Sequence, residues 1–431
     1  MDRSKLLSAC VHCGFCLPSC PTYALWGQEM DSPRGRIHLM NVVSAGRGAV
    51  DETFTRHIDA CLGCMACVPA CPSGVQYGTL IEGARAEVEQ AKTRPWRERM
   101  FRALLFRVLP YAARVRAVLA PAMLLARVTR GWAPLALARQ LDPRALLQPA
   151  PPSTPAAAPA RAKVGVLLGC VQRAVMPSVN DATVRVLAAE GCHVEVPREQ
   201  GCCGALSRHA GRLDEARVFA RRTIDVFERA GVDRVVVNAA GCGSSMKEYG
   251  ELFEGDPAWE TRARAFGSKV VDVTEWLSAI GPRADRHPIE ARVAYHDACH
   301  LAHAQGIRQQ PRDLLRAIPG ITLLEAGAGE SCCGSAGIHN LVQPEAAGEL
   351  GDRAARRLAN LDPDLIASGN PGCTLQIAAA AERLGRPVRV LHPIELVDLS
   401  IRGRQPSADH AAAHTAAPRA QPRPAPSSPR R

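Results

Sequence analysis

"ACVHCGFCLPSCPTY" (residues 9–23) sets Cys10, Cys13, Cys16 and Cys20 at gaps of two, two and three residues, with Pro21 directly after the last. "ACLGCMACVPACPSG" (residues 60–74) repeats the pattern with Cys61, Cys64, Cys67, Cys71 and Pro72. Together they account for eight of the seventeen cysteines in 431 residues. So many cysteines in a small secreted protein would form a disulfide framework. This chain is long, and "MDRSKLLSACVHCGF" holds no apolar stretch of the kind that directs secretion. A reducing compartment with metal-bound thiolates is the expectation.

Three cysteines at two-residue gaps wrap a short loop around one corner of a polynuclear group, while the fourth, followed by proline, turns away. C-x2-C-x2-C-x3-C-P is the bacterial ferredoxin run, in which the fourth cysteine serves the neighbouring cluster. Cys10, Cys13, Cys16 and Cys71 are therefore predicted to hold one [4Fe–4S] cluster, and Cys61, Cys64, Cys67 and Cys20 the second. Structural zinc usually shows paired C-x2-C separated by a longer loop, a poor match here. The spacer contains two helical stretches, "PRGRIHLMNVVSAG" with Pro33 near its start and "DETFTRHIDACL" capped by Asp51. Residues 1–93 thus read as a helical ferredoxin-like domain.

Residues 94–147 carry eleven arginines against two acids, interleaved with Leu, Val and Phe. The longest apolar run, "AVLAPAMLLA", is too short to span a bilayer. Two readings stay open: amphipathic helices packed on their own protein and interrupted at Pro110, Pro121 and Pro134, or a segment lying on an anionic membrane or a partner. A Pro/Ala-rich linker follows over 148–162, with five prolines in "QPAPPSTPAAAPAR". The basic tail, 402–431, is expected to be disordered and has nothing aromatic to stack on bases, so no nucleic-acid role is assigned. The formal charge of +11 falls to about +7 once two thiolate-bound cubes are counted.

The remainder is an internal duplication, 163–280 and 290–400. Cys170 recurs as Cys299, Cys202 and Cys203 as Cys332 and Cys333, and Cys242 as Cys373, at offsets of 129, 130, 130 and 131 residues. "KVGVLL", "HVEVP" and "RVVVN" read as strands ending just before these cysteines, with helical stretches between them, so each copy is an α/β unit with a parallel sheet. Ligand sites in such sheets gather beyond the carboxyl ends of strands. One four-cysteine site per copy is expected, with Gly204 and Gly334 giving each adjacent pair room to aim both sulfurs at one target. An iron–sulfur cluster, zinc or a purely structural unit are the three readings of these sites. Cys192, outside every pattern, reads as a core thiol. His296, His300 and His303 crowd Cys299 as hydrogen-bonding or proton-carrying candidates, or as ordinary structural histidines. Lys247 and Tyr249 are candidate contacts for a partner or quinone. No Rossmann or Walker motif appears, and no residue is assigned a catalytic role.

Two ferredoxin motifs, a linker and two Cys-Cys-Gly units resemble the iron–sulfur subunit of glycolate oxidase (glycolate dehydrogenase) over about residues 1–400. "DSPRGRIHLM", "CPSGVQYG", "AGCGSSMKEYG", "CCGSAG" and "GNPGC" carry that resemblance. The layout is shared more loosely by the C subunit of anaerobic glycerol-3-phosphate dehydrogenase and by lactate-utilisation proteins, and the CCG unit is similar to that of heterodisulfide reductase. The fullest form of that unit ends C-x-x-C, and here Ser245 and Gln376 stand where the last cysteine would be. The resemblance implies an electron relay between a flavin-bearing partner that oxidises glycolate and a membrane quinone, with the chain peripheral on the cytoplasmic face. The same relay for lactate or glycerol 3-phosphate, heterodisulfide-like thiol chemistry, and a zinc-dependent scaffold are the alternatives.

Overall fold

Ser32 and Asp51 start the spacer helices as side-chain caps. Ser32 accepts from the Gly35 N–H ahead of helix Pro33–Ser44, with Pro33 in its first turn, and Asp51 accepts from the Phe54 N–H ahead of helix Glu52–Ala60. The computed structural model describes residues 3–128, 136–157, 159–327 and 332–406. Among the described residues up to 93 there is no strand. Helices Arg3–Ser8, Pro21–Trp26 and Tyr77–Ala91 complete the expected helical ferredoxin-like domain. Ile37, Met40, Phe54, Ile58, Leu80, Ile81 and Val88 form its core.

Helices Trp96–Val108 and Ala112–Val128 follow, bent by 113° across the break after Pro110. Pro121 does not interrupt the second helix as predicted. It sits on the exposed face, where water can satisfy the carbonyl that loses its partner. Pro134 lies outside the described residues. The inner faces pack on the protein itself, with Phe106 buried and Val115 and Met123 against Ala174 and Val175. No helix among the described residues is long and apolar enough to cross a membrane. The proline-rich stretch is extended and pinned to the fold by an antiparallel bridge from Thr154 to Val194.

Two sheets of one topology make up the rest. β1 (Ala162–Leu167), β2 (Cys192–Glu195), β3 (Arg234–Val237) and β4 (Val270–Asp272) lie in the order β2-β1-β3-β4. β5 (Ala291–His296), β6 (Ile321–Glu325), β7 (Leu365–Ser368) and β8 (Arg389–Leu391) repeat it as β6-β5-β7-β8. Every pairing within the two sheets is parallel. The central strands are apolar on both faces, as sheets covered by helices on each side require. β4 and β8, three-residue edge strands, were not among the strands named from sequence. The two copies share a core in which Val164, Val166 and Val194 pack with Val293, Tyr295 and Ile394. Cys192 is fully buried there and accepts from Trp276 Nε1 at 3.5 Å, a core thiol as read.

Candidate metal centres

The two ferredoxin loops have the same backbone. Left-handed φ values fall at His12 and Gly14 in the first and at Gly63 and Met65 in the second, the same two positions of each motif. Non-glycine residues tolerate that region only where the surroundings hold them there. One cavity is lined by Cys10, Cys13, Cys16 and Cys71 and another by Cys20, Cys61 and Cys64, and Cys67 lines both. The fold thus brings the last cysteine of each motif to the other motif's loop, the arrangement read from the spacing. Their settings differ: Cys13 is exposed, whereas Cys20, Cys61, Cys64 and Cys67 are buried.

The inner set is wrapped in polar groups. Arg36, 1% exposed, donates through Nε to the His57 carbonyl at 2.7 Å and through Nη2 to Thr22 Oγ1 at 3.1 Å. Thr22 Oγ1 lies 3.2 Å from Cys20 Sγ, and Tyr77 OH lies 3.5 Å from Cys61 Sγ. Burial pushes the Cys61 thiol up, but the guanidinium groups of Arg36 and Arg85 outweigh it and hold it below its usual value. Cys64 and Cys67, lacking that help, are pushed well up by burial. Two four-sulfur sets with a buried cation beside the inner one suit anionic iron–sulfur clusters. Among the described residues no three His, Cys, Asp or Glu side chains are placed to hold a single metal ion.

In both α/β units the cysteines stand past strand ends at the point where strand order reverses: Cys170 and Cys242 after β1 and β3, Cys299 and Cys373 after β5 and β7. The cysteines of each copy are neighbours in a row. Cys170 packs with Cys202, Cys202 adjoins Cys203, and Cys203 packs with Cys242. Cys299, Cys332, Cys333 and Cys373 do the same. Gly204 and Gly334 have φ of +82° and +85°, and an added Cβ would meet the Ala216 and Ala347 carbonyl oxygens at 3.0 and 2.6 Å. What sequence did not reveal is that both rows border one chamber of about 240 Å³, along with His209, His300 and His339.

Of the histidines singled out from sequence, only His300 lines that chamber; its Nδ1 is 2.7 Å from Ser244 Oγ. His296 pairs with Ser368 and His303 with Arg308. Lys247, part-exposed, is bound to Glu275 at 2.6 Å, whereas Tyr249 is fully buried against the Cys203 carbonyl and does not present itself to a partner.

The ferredoxin-like domain is fastened against this chamber. Leu62 and Cys64 pack with Cys299, Cys332 and Leu350. Glu82 takes Arg208 Nε and His209 Nδ1, each at 2.8 Å. Burial alone would raise the Glu82 carboxyl, but Arg208 and His209 hold it down at about 2. Arg85 ties the carbonyls of Cys61 and His209 together. The second motif's loop therefore abuts the second copy's cysteines.

With this geometry in hand, the comparisons are direct. A 4Fe-4S dicluster domain model matches residues 6–75, and a cysteine-rich (CCG) domain model matches 164–247 and 293–378. A probable glycolate oxidase iron–sulfur subunit of Bacillus subtilis (strain 168) is 37% identical over 423 residues, covering 92% of this chain and 94% of the relative. The glycolate oxidase iron–sulfur subunit of Escherichia coli (strain K12) is 35% identical over 410 residues, 93% and 96% of the two chains. The chain belongs to the glycolate oxidase iron–sulfur subunit family. Lactate utilization protein A of Oceanobacillus iheyensis is 30% identical over 242 residues, 98% of that protein but 56% of this chain. Membership makes this an iron–sulfur electron-transfer protein, a component of an oxidoreductase complex.

Proposed function

We propose that this chain is the non-flavin, electron-transfer subunit of a glycolate dehydrogenase, relaying electrons from a flavoprotein partner that oxidises glycolate to glyoxylate towards a membrane quinone. Cys10, Cys13, Cys16 and Cys71 hold one [4Fe–4S] cluster and Cys61, Cys64, Cys67 and Cys20 the other, while Cys170, Cys202, Cys203 and Cys242, and Cys299, Cys332, Cys333 and Cys373, hold further iron–sulfur groups. When bound, such clusters accept and release single electrons. The observation that carries the reading is that Cys71 shares a cavity with Cys10, Cys13 and Cys16, and Cys20 shares another with Cys61, Cys64 and Cys67.

The residues around the outer set suit a docking face for the redox partner: Val11 and Phe15 are 68% and 67% exposed beside the exposed Cys13. The inner set is shielded from water and backed by Arg36. Glycolate is favoured over lactate because the glycolate oxidase relatives match nearly the whole chain and the lactate-utilisation relative about half. We infer further that the chain lies at the cytoplasmic face of the membrane through its arginine-rich helices.

Iron and sulfide analysis of anaerobically purified protein tests the cluster assignment. Cys20→Ser and Cys71→Ser are each expected to impair one cluster of the pair and to lower iron by up to about four per chain. Iron-free wild-type protein, or full iron and unchanged spectra in both variants, would refute it. Dye reduction by the assembled complex with glycolate, lactate or glycerol 3-phosphate decides the substrate.

A further inference from the structure

The duplication that aligns the cysteines also aligns two histidines. His209 stands seven residues after Cys202 and His339 seven after Cys332, so they are 130 residues apart, as the Cys-Cys-Gly motifs are. Their backbones differ, since His209 ends helix Ala205–His209 whereas His339 opens the helical turn His339–Val342. Even so, both line the chamber shared by the two cysteine rows. In both, Nε2 is buried without a hydrogen-bond partner. His339 is 5% exposed, and it is close enough to Cys332 for each to bias the other's charge.

Buried polar atoms are rarely orphaned. Two orphans of one type, at equivalent positions on one chamber, point to a common kind of partner inside it. The lining supplies that partner's chemistry, because the chamber's eight cysteines would hold anionic groups rich in sulfur. The ring of His209 is fixed by the Glu82 carboxylate at Nδ1, which leaves Nε2 as its one unpartnered nitrogen. Beside an anionic group, a hydrogen on Nε2 is what satisfies that atom. For His339 the neutral ring with its proton on Nε2 does the same.

We propose that His209 and His339 donate hydrogen bonds through Nε2 to the sulfur of the groups held by the CCG cysteines, and so make those groups easier to reduce. The proposal rests on the reading of these cysteines as cluster ligands. It casts the two histidines as positioning residues that tune potential without being ligands themselves. Hydrogen bonds to sulfur stabilise the more negative, reduced state and shift the potential upward.

The test uses the anaerobic full-length protein and its His209→Phe and His339→Phe variants, singly and together, beside His209→Gln and His339→Gln, which retain a side-chain N–H donor. Iron content is measured first, and EPR-monitored redox titration then resolves the individual couples. The expected result is more than about eight irons per chain, Phe variants whose CCG couples move to more negative potential with iron retained, Gln variants that recover part of the shift, and N-terminal couples that stay put. Unmoved potentials in the Phe variants overturn the proposal. Loss of CCG iron in them also overturns it, since the rings would then be ligands. A wild-type protein with only the N-terminal pair's iron overturns it too, yet leaves the relay standing, so the two readings fail separately.

Discussion

Arg36 is the side chain on which the inner centre's electrostatics turn. Its guanidinium is buried beside Cys20 and Cys61 and satisfied by the His57 carbonyl, Thr22 and Asp31. A fixed positive charge favours the reduced cluster, so Arg36→Gln is expected to lower the inner potential by on the order of 50–100 mV, with a smaller change in the outer one. Arg36→Lys, which keeps the charge, should recover most of the loss; redox titration followed by EPR checks both. His392 offers a different signal. Its Nδ1 accepts from the Ile394 N–H at the start of helix Pro393–Ile401, and burial holds its pKa at about 3 instead of the ordinary 6.5. The folded state therefore binds fewer protons than the unfolded chain between those values. Its stability contribution is full above pH 6.5 and declines as pH falls towards about 3, by at most about 1.4 kcal/mol per unit. His392→Asn, which keeps a cap without a titrating ring, should flatten denaturant-measured stability between about pH 7.5 and 5.5 relative to wild type.

At the scale of elements, the arginine-rich helices pack on their own protein by one face and leave the other to solvent. The inner faces pack as described, whereas Trp96, Met100 and Leu104, spaced by four residues along one side of the first helix, are 68%, 64% and 58% exposed. Exposed Arg97, Arg99, Arg107 and Arg114 flank the apolar residues, and none forms an ion pair with a carboxylate among the described residues. Apolar side chains ringed by unpaired arginines complement an anionic lipid surface, where each cation contributes about 1 kcal/mol. The full-length protein is expected to sediment with vesicles containing phosphatidylglycerol and not with phosphatidylcholine alone. Arg97→Glu with Arg99→Glu, or Trp96→Asp with Leu104→Asp, should cut that binding at least about tenfold while visible absorption is unchanged. Binding of the variants at wild-type level would rule the face out as the membrane contact.

For the whole molecule, the decisive feature is how closely the ferredoxin-like domain sits on the α/β pair. Gly211, at φ +83°, lets the first copy approach helix Tyr77–Ala91 so closely that an added Cβ would lie 2.4 Å from the Arg85 carbonyl carbon. Gly211→Ala is therefore expected to push the domains apart. Glu82→Gln removes the most buried of the three carboxylates that pair with Arg208, the others being Glu248 and Glu251, a loss of up to roughly 3–5 kcal/mol. Either variant should keep the N-terminal clusters' EPR signals while slowing electron exchange with the CCG groups. Stopped-flow reduction followed by rapid freezing measures this, and unchanged exchange in both would show that the contact at Cys64 and Cys332 is no conduit. This contact had no local signal, since Glu82 and His209 are 127 residues apart and look like ordinary surface residues in sequence.

The sequence by itself determined what depends on spacing along the chain. The two C-x2-C-x2-C-x3-C-P runs, the helix starts marked by Pro33 and Asp51, and the duplication with its cysteines past strand ends were legible because each is a local pattern with a local physical cause. Tertiary structure alone decided what depends on distance across the fold. It turned the two four-cysteine rows onto one chamber, set the second ferredoxin loop against the second row, paired Lys247 with Glu275, buried Tyr249, and left Nε2 of His209 and His339 buried without a partner. The reason is physical: a ligand motif is held by a few consecutive dihedral angles, but the neighbour across a cavity is chosen by how separate hydrophobic cores pack together, and no run of adjacent residues encodes that choice.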